Sequence, residues 1–449
     1  MYSKIRSTLL VALLLLAGAR VQAQVVAFEN ANVIPMDSRI VLRHQRVIVE
    51  DDRIAAIEPM RQAPTIQAAR TIDCAGMYMI PGLVDTHYHQ RGTDPREYAL
   101  LYKLLLANGI TTVVSMGEDE GQDTIAIREQ TRRADALAPH YYTAGPYLDA
   151  DNMKSPADAV AMVRRHRERG YDFIKVHGNL PPAVYATLLD EAEQAGIPVI
   201  GHTQRLMPLA YSLRMTLIAH MEDIAMVFAD DTHFRIPPMK EAQAKAIARQ
   251  IKDSGIYVSP TLSILAGIED YTDDARFAAL KQRPVTTYLS RAEYDNYTTE
   301  GKEYRSAFIL SHAGIDGVHQ LIANTRLLTR ALSAAGVPLL VGTDNFGMQI
   351  TGFSMHDEML AMRRAGMSAF DVLNGATALS ARYLRRQASS GTIGVGKQAD
   401  FVLLAHNPLD DIRHTREVRG VMLKGRWLDQ ATLDAGVREV AAARALERR

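Results

Sequence analysis

Polar side chains that can bind metals or titrate stand at the ends of several short apolar segments of this chain. The first segment, 83–87, ends in a His-x-His pair formed by His87 and His89. Because side chains alternate along a strand, both imidazoles are expected to point to the same side. Later apolar segments end in similar residues, namely Lys175, His202, His220 and Asp344. Polar residues at the C-terminal tips of many core strands are typical of a (β/α)8 barrel active site.

Apolar segments of strand length alternate with amphipathic helices between residues 82 and about 382. The candidate strands are 83–87, 111–115, 140–144, 172–176, 197–201, 216–219, 256–259 and 338–343. Eight strands separated by helices predict an α/β protein with a (β/α)8, TIM-like barrel over residues 80–390. A doubly wound open sheet is the alternative, but candidate ligands on many different strands favour a closed ring.

The segments on both sides of this barrel are rich in short strands. Alternating strands and turns fill 24–79, and a similar pattern returns within 391–430. We therefore predict one small composite β-sandwich built from both chain ends. Residues 431–449 are predicted to form a C-terminal helix.

One connection is too long for a simple barrel loop. Residues 261–315 follow the predicted seventh strand and therefore emerge on the catalytic face. The segment is rich in tyrosine, with Tyr271, Tyr288, Tyr294, Tyr297 and Tyr304. We expect a lid-like insertion whose tyrosines hold a small amphipathic ligand. An oligomer contact or an inert decoration is the alternative.

The first 23 residues have the pattern of a signal peptide. Lys4 and Arg6 precede the apolar run 9–17, and Val21-Gln22-Ala23 supplies small residues where a signal peptidase reads. The run is too short to span a bilayer comfortably. We therefore expect cleavage after Ala23, a periplasmic or secreted protein, and no stable membrane insertion after cleavage. A retained N-terminal anchor is the alternative.

The composition limits the classes of partner that this protein is expected to bind. The 449 residues include 51 basic and 51 acidic ones, without the basic stripe that a nucleic-acid partner would leave. Cys74 is the only cysteine, so an exported form has no internal disulfide, and its stability must come from the core and any metals. These data leave a homo-oligomer open.

The order His-x-His, Lys, His, His, Asp resembles the amidohydrolase superfamily in its two-metal form with a carboxylated lysine. The resemblance covers nearly the whole mature chain. It includes the sequence IPGLVDTH at 80–87 and the sequence GTIGVGKQADFV at 391–402. Within the superfamily, the chain is most similar to the imidazolonepropionase-like branch, which includes Xaa-Pro dipeptidases and related carboxypeptidases.

The resemblance implies two divalent metal ions. The more buried ion would take the His-x-His pair and the aspartate, and the other would take the two later histidines. The lysine would bridge both as a carbamate, because an amine cannot bridge two cations. The residues so assigned are His87, His89, Lys175, His202, His220 and Asp344. Zinc fits these mixed nitrogen and oxygen ligands best, although manganese or cobalt could occupy the same cage. Asp344 would also serve as general base and acid, taking a proton from a metal-bridging hydroxide and passing it to the leaving nitrogen.

Other residues near strand tips are candidate substrate contacts. His177 shares strand parity with Lys175 and lies one step further toward the mouth, so we expect it to face the substrate or to orient the carbamate. Gln90 and Tyr142 are also assigned to the pocket, with a structural role as the alternative.

These observations predict an exported, metal-dependent amidohydrolase. Its expected substrates are small amides or peptides, such as dipeptides or N-acyl amino acids, cleaved in the manner of a prolidase. Hydrolysis of a cyclic amide or a lactone is the alternative reaction. An inactive binding protein on the same fold is a further alternative, which the six filled ligand positions disfavour.

Overall fold

The structure is a computed structural model that describes residues 25–133, 135–227, 236–299, 303–345 and 349–448, without the side chain of Tyr304. The predicted signal peptide lies outside the described residues. Within the described part of the chain, no helix is long and apolar enough to cross a membrane.

Both chain ends contribute to one eight-stranded sheet. Its strands are β1 (Val25–Val33), β2 (Leu42–Glu50), β3 (Arg53–Pro59), β4 (Arg70–Asp73), β5 (Tyr78–Pro81), β13 (Phe401–Leu404), β14 (Val418–Leu423) and β15 (Arg426–Asp429). The order is β15-β14-β13-β5-β1-β2-β3, and β4 pairs with β1. The two ends meet where β13 runs antiparallel to β5. The pairing is that of one continuous sheet, so the predicted sandwich of two sheets stays a prediction.

The core of this sheet is aromatic and apolar. The ring of Phe28 lies edge-on to those of Phe401 and Trp427, with centroids 5.0 and 4.9 Å away. Cys74 belongs to the same core, and its burial raises the pKa of the thiol to about 12. Cys74 is therefore a small apolar residue of the β-domain.

In the described part of the chain, seven short parallel strands form the centre of the molecule. They are β6 (Leu83–Tyr88), β7 (Ile110–Ser115), β8 (His140–Thr143), β9 (Ile174–Val176), β10 (Val199–Gly201), β11 (Leu217–Ala219) and β12 (Tyr257–Ser259). Strands β6–β8 form one parallel sheet, and β9–β12 form a second. The backbone N–H of Asp172 donates to the carbonyl of Thr143 across the boundary between the two sheets, at 2.9 Å.

The predicted eighth strand, 338–343, is not a regular strand, although it bonds to both neighbours. The Leu340 N–H donates to the Val258 carbonyl at 2.9 Å, and the Thr86 N–H donates to the Val341 carbonyl at 3.0 Å. At Gly342, a Cβ would lie only 2.6 Å from the Cβ of His87, so this close approach to β6 requires glycine. Closure of the ring stays a prediction.

Helices alternate with these strands, and capping residues mark where they begin and end. They are α1 (Pro95–Ala107), α2 (Thr124–Arg132), α3 (Pro156–Arg169), α4 (Pro182–Ala195), α5 (Leu209–Ser212), α6 (Met221–Met226), α7 (Glu241–Ser254), α12 (Phe353–Arg364), α13 (Ala369–Gly375) and α14 (Ala378–Tyr383). In α3, for example, Ser155 and Asp158 form a capping box, and Gly170 ends the helix at φ 77°.

The predicted insertion is helical. It contains α8 (Leu262–Glu269), α9 (Asp274–Lys281), a 3-10 helix (Pro284–Tyr288), α10 (Arg291–Thr298) and the start of α11 (Tyr304–Ala335), which kinks at Gly314. The C-terminal helix, α15 (Gln430–Glu447), anchors it. The Arg444 guanidinium donates to the Tyr288 carbonyl at 3.2 Å, and that of Arg448 donates to the Leu289 carbonyl at 2.7 Å.

Candidate active site

The six residues predicted as metal ligands line one cavity of about 600 Å³. It lies at the carboxyl ends of the central strands. His87 is in β6 and Lys175 in β9, whereas His202, His220 and Asp344 directly follow their strands or strand-like segments. Possible ligand atoms of His87, His220 and Asp344 all lie within 4.8 Å of one another. The structure thus brings together all six residues.

Imidazole rings follow one another around this cavity. The ring centroids of His89 and His87 are 5.2 Å apart, those of His87 and His220 4.7 Å, and those of His220 and His202 4.5 Å. The ring of His177 continues the series at 5.1 Å from His202. Several imidazoles clustered in one cavity wall can serve together as metal ligands.

The protonation states fit this chemistry. Burial, followed by the charge of Lys175, holds the pKa of His87 well below its usual range, and burial also lowers that of His220. Both ring nitrogens of His87 are buried and form no hydrogen bond with any residue that the structure describes. A buried polar side chain without partners is costly, so the site calls for a ligand at His87. Neutral imidazoles beside a carboxylate fit divalent ions such as zinc.

A second layer of residues orients the histidine rings. The Nδ1 of His202 lies 2.8 Å from Oδ2 of Asp223, and the Nδ1 of His220 lies 2.8 Å from Oγ1 of Thr261. Contacts at Nδ1 leave Nε2 available as a ligand atom. His220 and Thr261 also have positive φ angles of 70° and 49°, a costly backbone geometry that often occurs at functional sites.

Asp344 is held ionised between histidines and an arginine. Its Oδ1 lies 2.9 Å from Nε2 of His89, and its Oδ2 accepts a hydrogen bond from Nη1 of Arg305 at 2.6 Å. Burial alone would raise the pKa of Asp344, but the Arg305 guanidinium and the histidines hold it well below the usual range. Asp344 is therefore a carboxylate that can act as a metal ligand or accept a proton.

Lys175 is buried in the cavity wall. Burial lowers the pKa of its ammonium group to about 8. A Cβ at position 201 would lie 2.9 Å from Cδ of Lys175, and Gly201 has a φ of 127°, so glycine is needed beside the lysine. A lysine that loses its proton this easily has a neutral amine that can react with carbon dioxide.

The three predicted substrate residues have different positions. His177 lines the cavity, and burial lowers its pKa to about 4. Gln90 lies outside the lining, where its Oε1 accepts a hydrogen bond from Tyr88 at 3.3 Å. By strand alternation Gln90 is on the face opposite His87 and His89. Tyr142 also lies outside the lining of this cavity and instead lines a smaller one with Gly82.

The sequence predicted that the tyrosines of the insertion hold a ligand, and the structure corrects this prediction. Among the described tyrosine side chains of the insertion, none lines the site. Tyr271 donates to the carbonyl of Tyr297 at 2.6 Å, Tyr288 stacks on Phe353, and Tyr294 packs under Arg448. These contacts stabilise the insertion internally and against its neighbours, not a ligand. The insertion instead contributes Arg305, Phe308, Ile309 and Ala313 to the cavity wall.

Arg305 and Tyr147 are among the cavity residues that sequence reasoning missed. Arg305 lies in the insertion, and Tyr147 follows β8, with its Oη 3.0 Å from Nδ1 of His89. Tyr147 could have been found from its place just beyond a strand end. Arg305 carries no such signal, because its contact with Asp344 depends on how the insertion packs.

Comparison with known proteins identifies the family. The Amidohydrolase family matches residues 78–428, which is most of the chain. The protein therefore belongs to the amidohydrolase family, a class of metal-dependent enzymes that hydrolyse carbon–nitrogen bonds. The predicted membership of the amidohydrolase superfamily is confirmed.

Individual relatives are distant. An imidazolonepropionase of Caulobacter sp. (strain K31) is 26% identical over 388 residues, covering 79% of this chain and 88% of that enzyme. A dihydroorotase of Pediococcus pentosaceus is 22% identical over 258 residues, covering 51% of this chain and 59% of that enzyme. The match therefore spans less than two thirds of the dihydroorotase.

Solved structures share the fold. A bottromycin amidohydrolase has a TM-score of 0.71 at 23% identity and covers 95% of this chain and 91% of its own. A Xaa-Pro dipeptidase with methionine bound in the active site has a TM-score of 0.66 at 19% identity, covering 90% and 100%. These likenesses support a TIM-like α/β architecture.

Proposed function

We propose that this protein is an exported, metal-dependent amidohydrolase that cleaves the amide bonds of dipeptides or N-acyl amino acids. One observation carries the proposal. The six predicted ligand residues line one cavity whose wall also has an apolar part, described below. Such a cavity suits a substrate with one polar, scissile amide and an apolar side chain.

Two divalent ions, with zinc preferred, would be held by the imidazoles of His87, His89, His202 and His220, with Asp344 and a carboxylated Lys175 as the anionic ligands. When bound, these ions would lower the pKa of a water molecule and polarise the scissile carbonyl. The low pKa of Lys175 supports the carbamate, because the neutral amine is the reactive form.

The protein's own groups would move the proton and position the substrate. Asp344 would accept a proton from the attacking water and pass it to the leaving nitrogen. Arg305, whose guanidinium donates to Oδ2 of Asp344, would keep that carboxylate ionised before attack. His177 lies on the same cavity wall and would contact the substrate.

The apolar wall defines the expected side-chain preference. Met226 and Ile264 come from α6 and α8, and Phe308, Ile309 and Leu321 come from α11. Burying a leucine- or phenylalanine-sized side chain against such a surface contributes about 1.5–3 kcal/mol. We therefore expect substrates with large apolar side chains to be preferred over their glycine analogues.

The test is a substrate screen on metal-supplemented protein. N-acetyl amino acids and Xaa-Pro dipeptides with Gly, Leu or Phe side chains would be compared with lactones and cyclic amides. We expect hydrolysis of the acyclic amides with Leu or Phe, and a loss of at least about a hundredfold in kcat for Asp344→Asn. Turnover of lactones or cyclic amides alone would refute the proposed substrate class.

Export is proposed from the first 23 residues. The full chain expressed in a bacterium should appear in the periplasm with Gln24 as its first residue, because cleavage is expected after Ala23. Cell fractionation and N-terminal sequencing test this directly. An uncleaved cytoplasmic product would contradict export but not hydrolysis.

A further inference from the structure

A second cavity, of about 370 Å³, lies on the other side of the insertion from the active site. The two cavities share α8 and α11 as walls. Ile264 and Leu321 face the active site, whereas Leu265 and Ile322 face the second cavity. The 3-10 helix at 284–288 and α12 complete the second cavity. Its volume is in the range of small-molecule sites.

The lining of this cavity has an apolar part. Leu265, Ile322, Ile350, Phe353 and Leu360 all contribute to it. Leu265 and Ile350 are buried, at 1% and 6% exposure, and belong to the main hydrophobic core. The apolar part is therefore fixed by packing and can receive an apolar group without rearrangement.

The charged residues of the lining are mostly basic. They are Arg283, Arg326, Arg364, Arg416, Asp270 and Asp357. The Arg283 guanidinium lies 2.5 Å from Asp270, and that of Arg416 lies 2.7 Å from Asp357. Both acids are thus already paired. The guanidinium groups of Arg326 and Arg364 form no hydrogen bond or ion pair with any residue in the described part of the chain.

We propose that this cavity is a second binding site, which takes a small amphipathic carboxylate. The apolar lining would bury the hydrocarbon body, and the guanidinium groups of Arg326 and Arg364 would bind the carboxylate. A cavity with an apolar part and two unpaired cations favours an anion over a neutral ligand of the same shape. The site is independent of the reaction catalysed next to it.

Calorimetric titration of the metal-loaded protein with octanoate tests the site. We expect saturable binding that weakens at least about tenfold in the double variant Arg326→Gln/Arg364→Gln, because two charge-assisted contacts are lost. Neutral octanamide should bind at least about tenfold more weakly than octanoate. Both arginines are exposed on helices, so the variant should fold, which circular dichroism checks.

Arg330→Gln is the matched control, because Arg330 is exposed one helical turn further along α11 and does not line the cavity. This variant should bind octanoate like the wild type. Octanoate bound equally well by the double variant would place the ligand elsewhere, for example beside Arg305, and overturn the proposal. Equal affinity for octanamide, or no saturable binding, would overturn it too.

Discussion

At the scale of single residues, Lys175 has the central role in the metal site proposed here. Its side chain is 1% exposed, and its pKa falls to about 8 because burial disfavours the ammonium form. Four imidazole ligands and one carboxylate would leave two divalent cations short of negative charge. A carbamate on Lys175 would supply a bridging anion where the amine cannot.

Replacing Lys175 tests this role. Lys175→Ala should lose metal and activity together, with kcat reduced at least about a hundredfold. Short carboxylic acids such as acetate or propionate should restore part of the activity, since they replace the bridging oxygens. Lys245→Ala, which removes an exposed lysine on α7, is the control and should keep both metals. A Lys175→Ala enzyme with normal metal content and activity would exclude the bridge.

Glu358 on α12 makes stability depend on pH. Its Oε2 accepts the Ser263 N–H at 2.7 Å, while burial raises the pKa of Glu358 from 4.5 to about 7. Between pH 4.5 and about pH 7, Glu358 is therefore protonated to a greater extent in the folded state than in the unfolded state. Stability should therefore fall as pH rises from about 4.5 to 7.

Glu358→Gln removes this titration. Relative to the wild type, the variant should gain about 1–3 kcal/mol as pH rises from 5 to 8. Thermal unfolding at both pH values measures the gain as an increasing difference in Tm. Asp357→Asn, which changes the neighbouring exposed acid, is the control. Its difference in Tm from the wild type should be the same at pH 5 and pH 8. A pH-independent difference for Glu358→Gln would show that Glu358 is ionised throughout.

At the scale of elements, α11 connects the insertion to the active site. Phe308 lines the cavity from α11, whereas the described tyrosines of the insertion do not. Phe308→Ala should lower kcat/KM about tenfold for substrates with Leu or Phe side chains, and little for the glycine analogue. Metal content should not change, because Phe308 is not a proposed ligand.

Ile315→Ala is the matched control for Phe308→Ala. Ile315 is also on α11 and 48% exposed, but it does not line the cavity. Kinetics of both variants on the same substrate pair separate a side-chain pocket from general damage to α11. Equal losses for the Leu and Gly substrates in Phe308→Ala would mean that this helix does not select the side chain.

At the scale of the whole molecule, the repeating strand and helix pattern predicted where functional side chains meet. Strand ends from His87 to Asp344 converge because parallel strands bring their carboxyl ends to one face. Gln90, just beyond β6, has the same parity as Tyr88, which donates a hydrogen bond to it, and lies away from the cavity. Composition could not predict that Arg305 contacts Asp344 or how the tyrosines pack, because these contacts depend on the packing of separate helices.

The metal content of the purified protein tests the central claim most directly. Elemental analysis of mature protein, prepared with added zinc and bicarbonate and then freed of unbound ions, should find about two divalent ions per chain. The reason is that six potential ligands from separate strands share one cavity wall. One ion or none under these conditions would contradict the two-metal amidohydrolase proposed here.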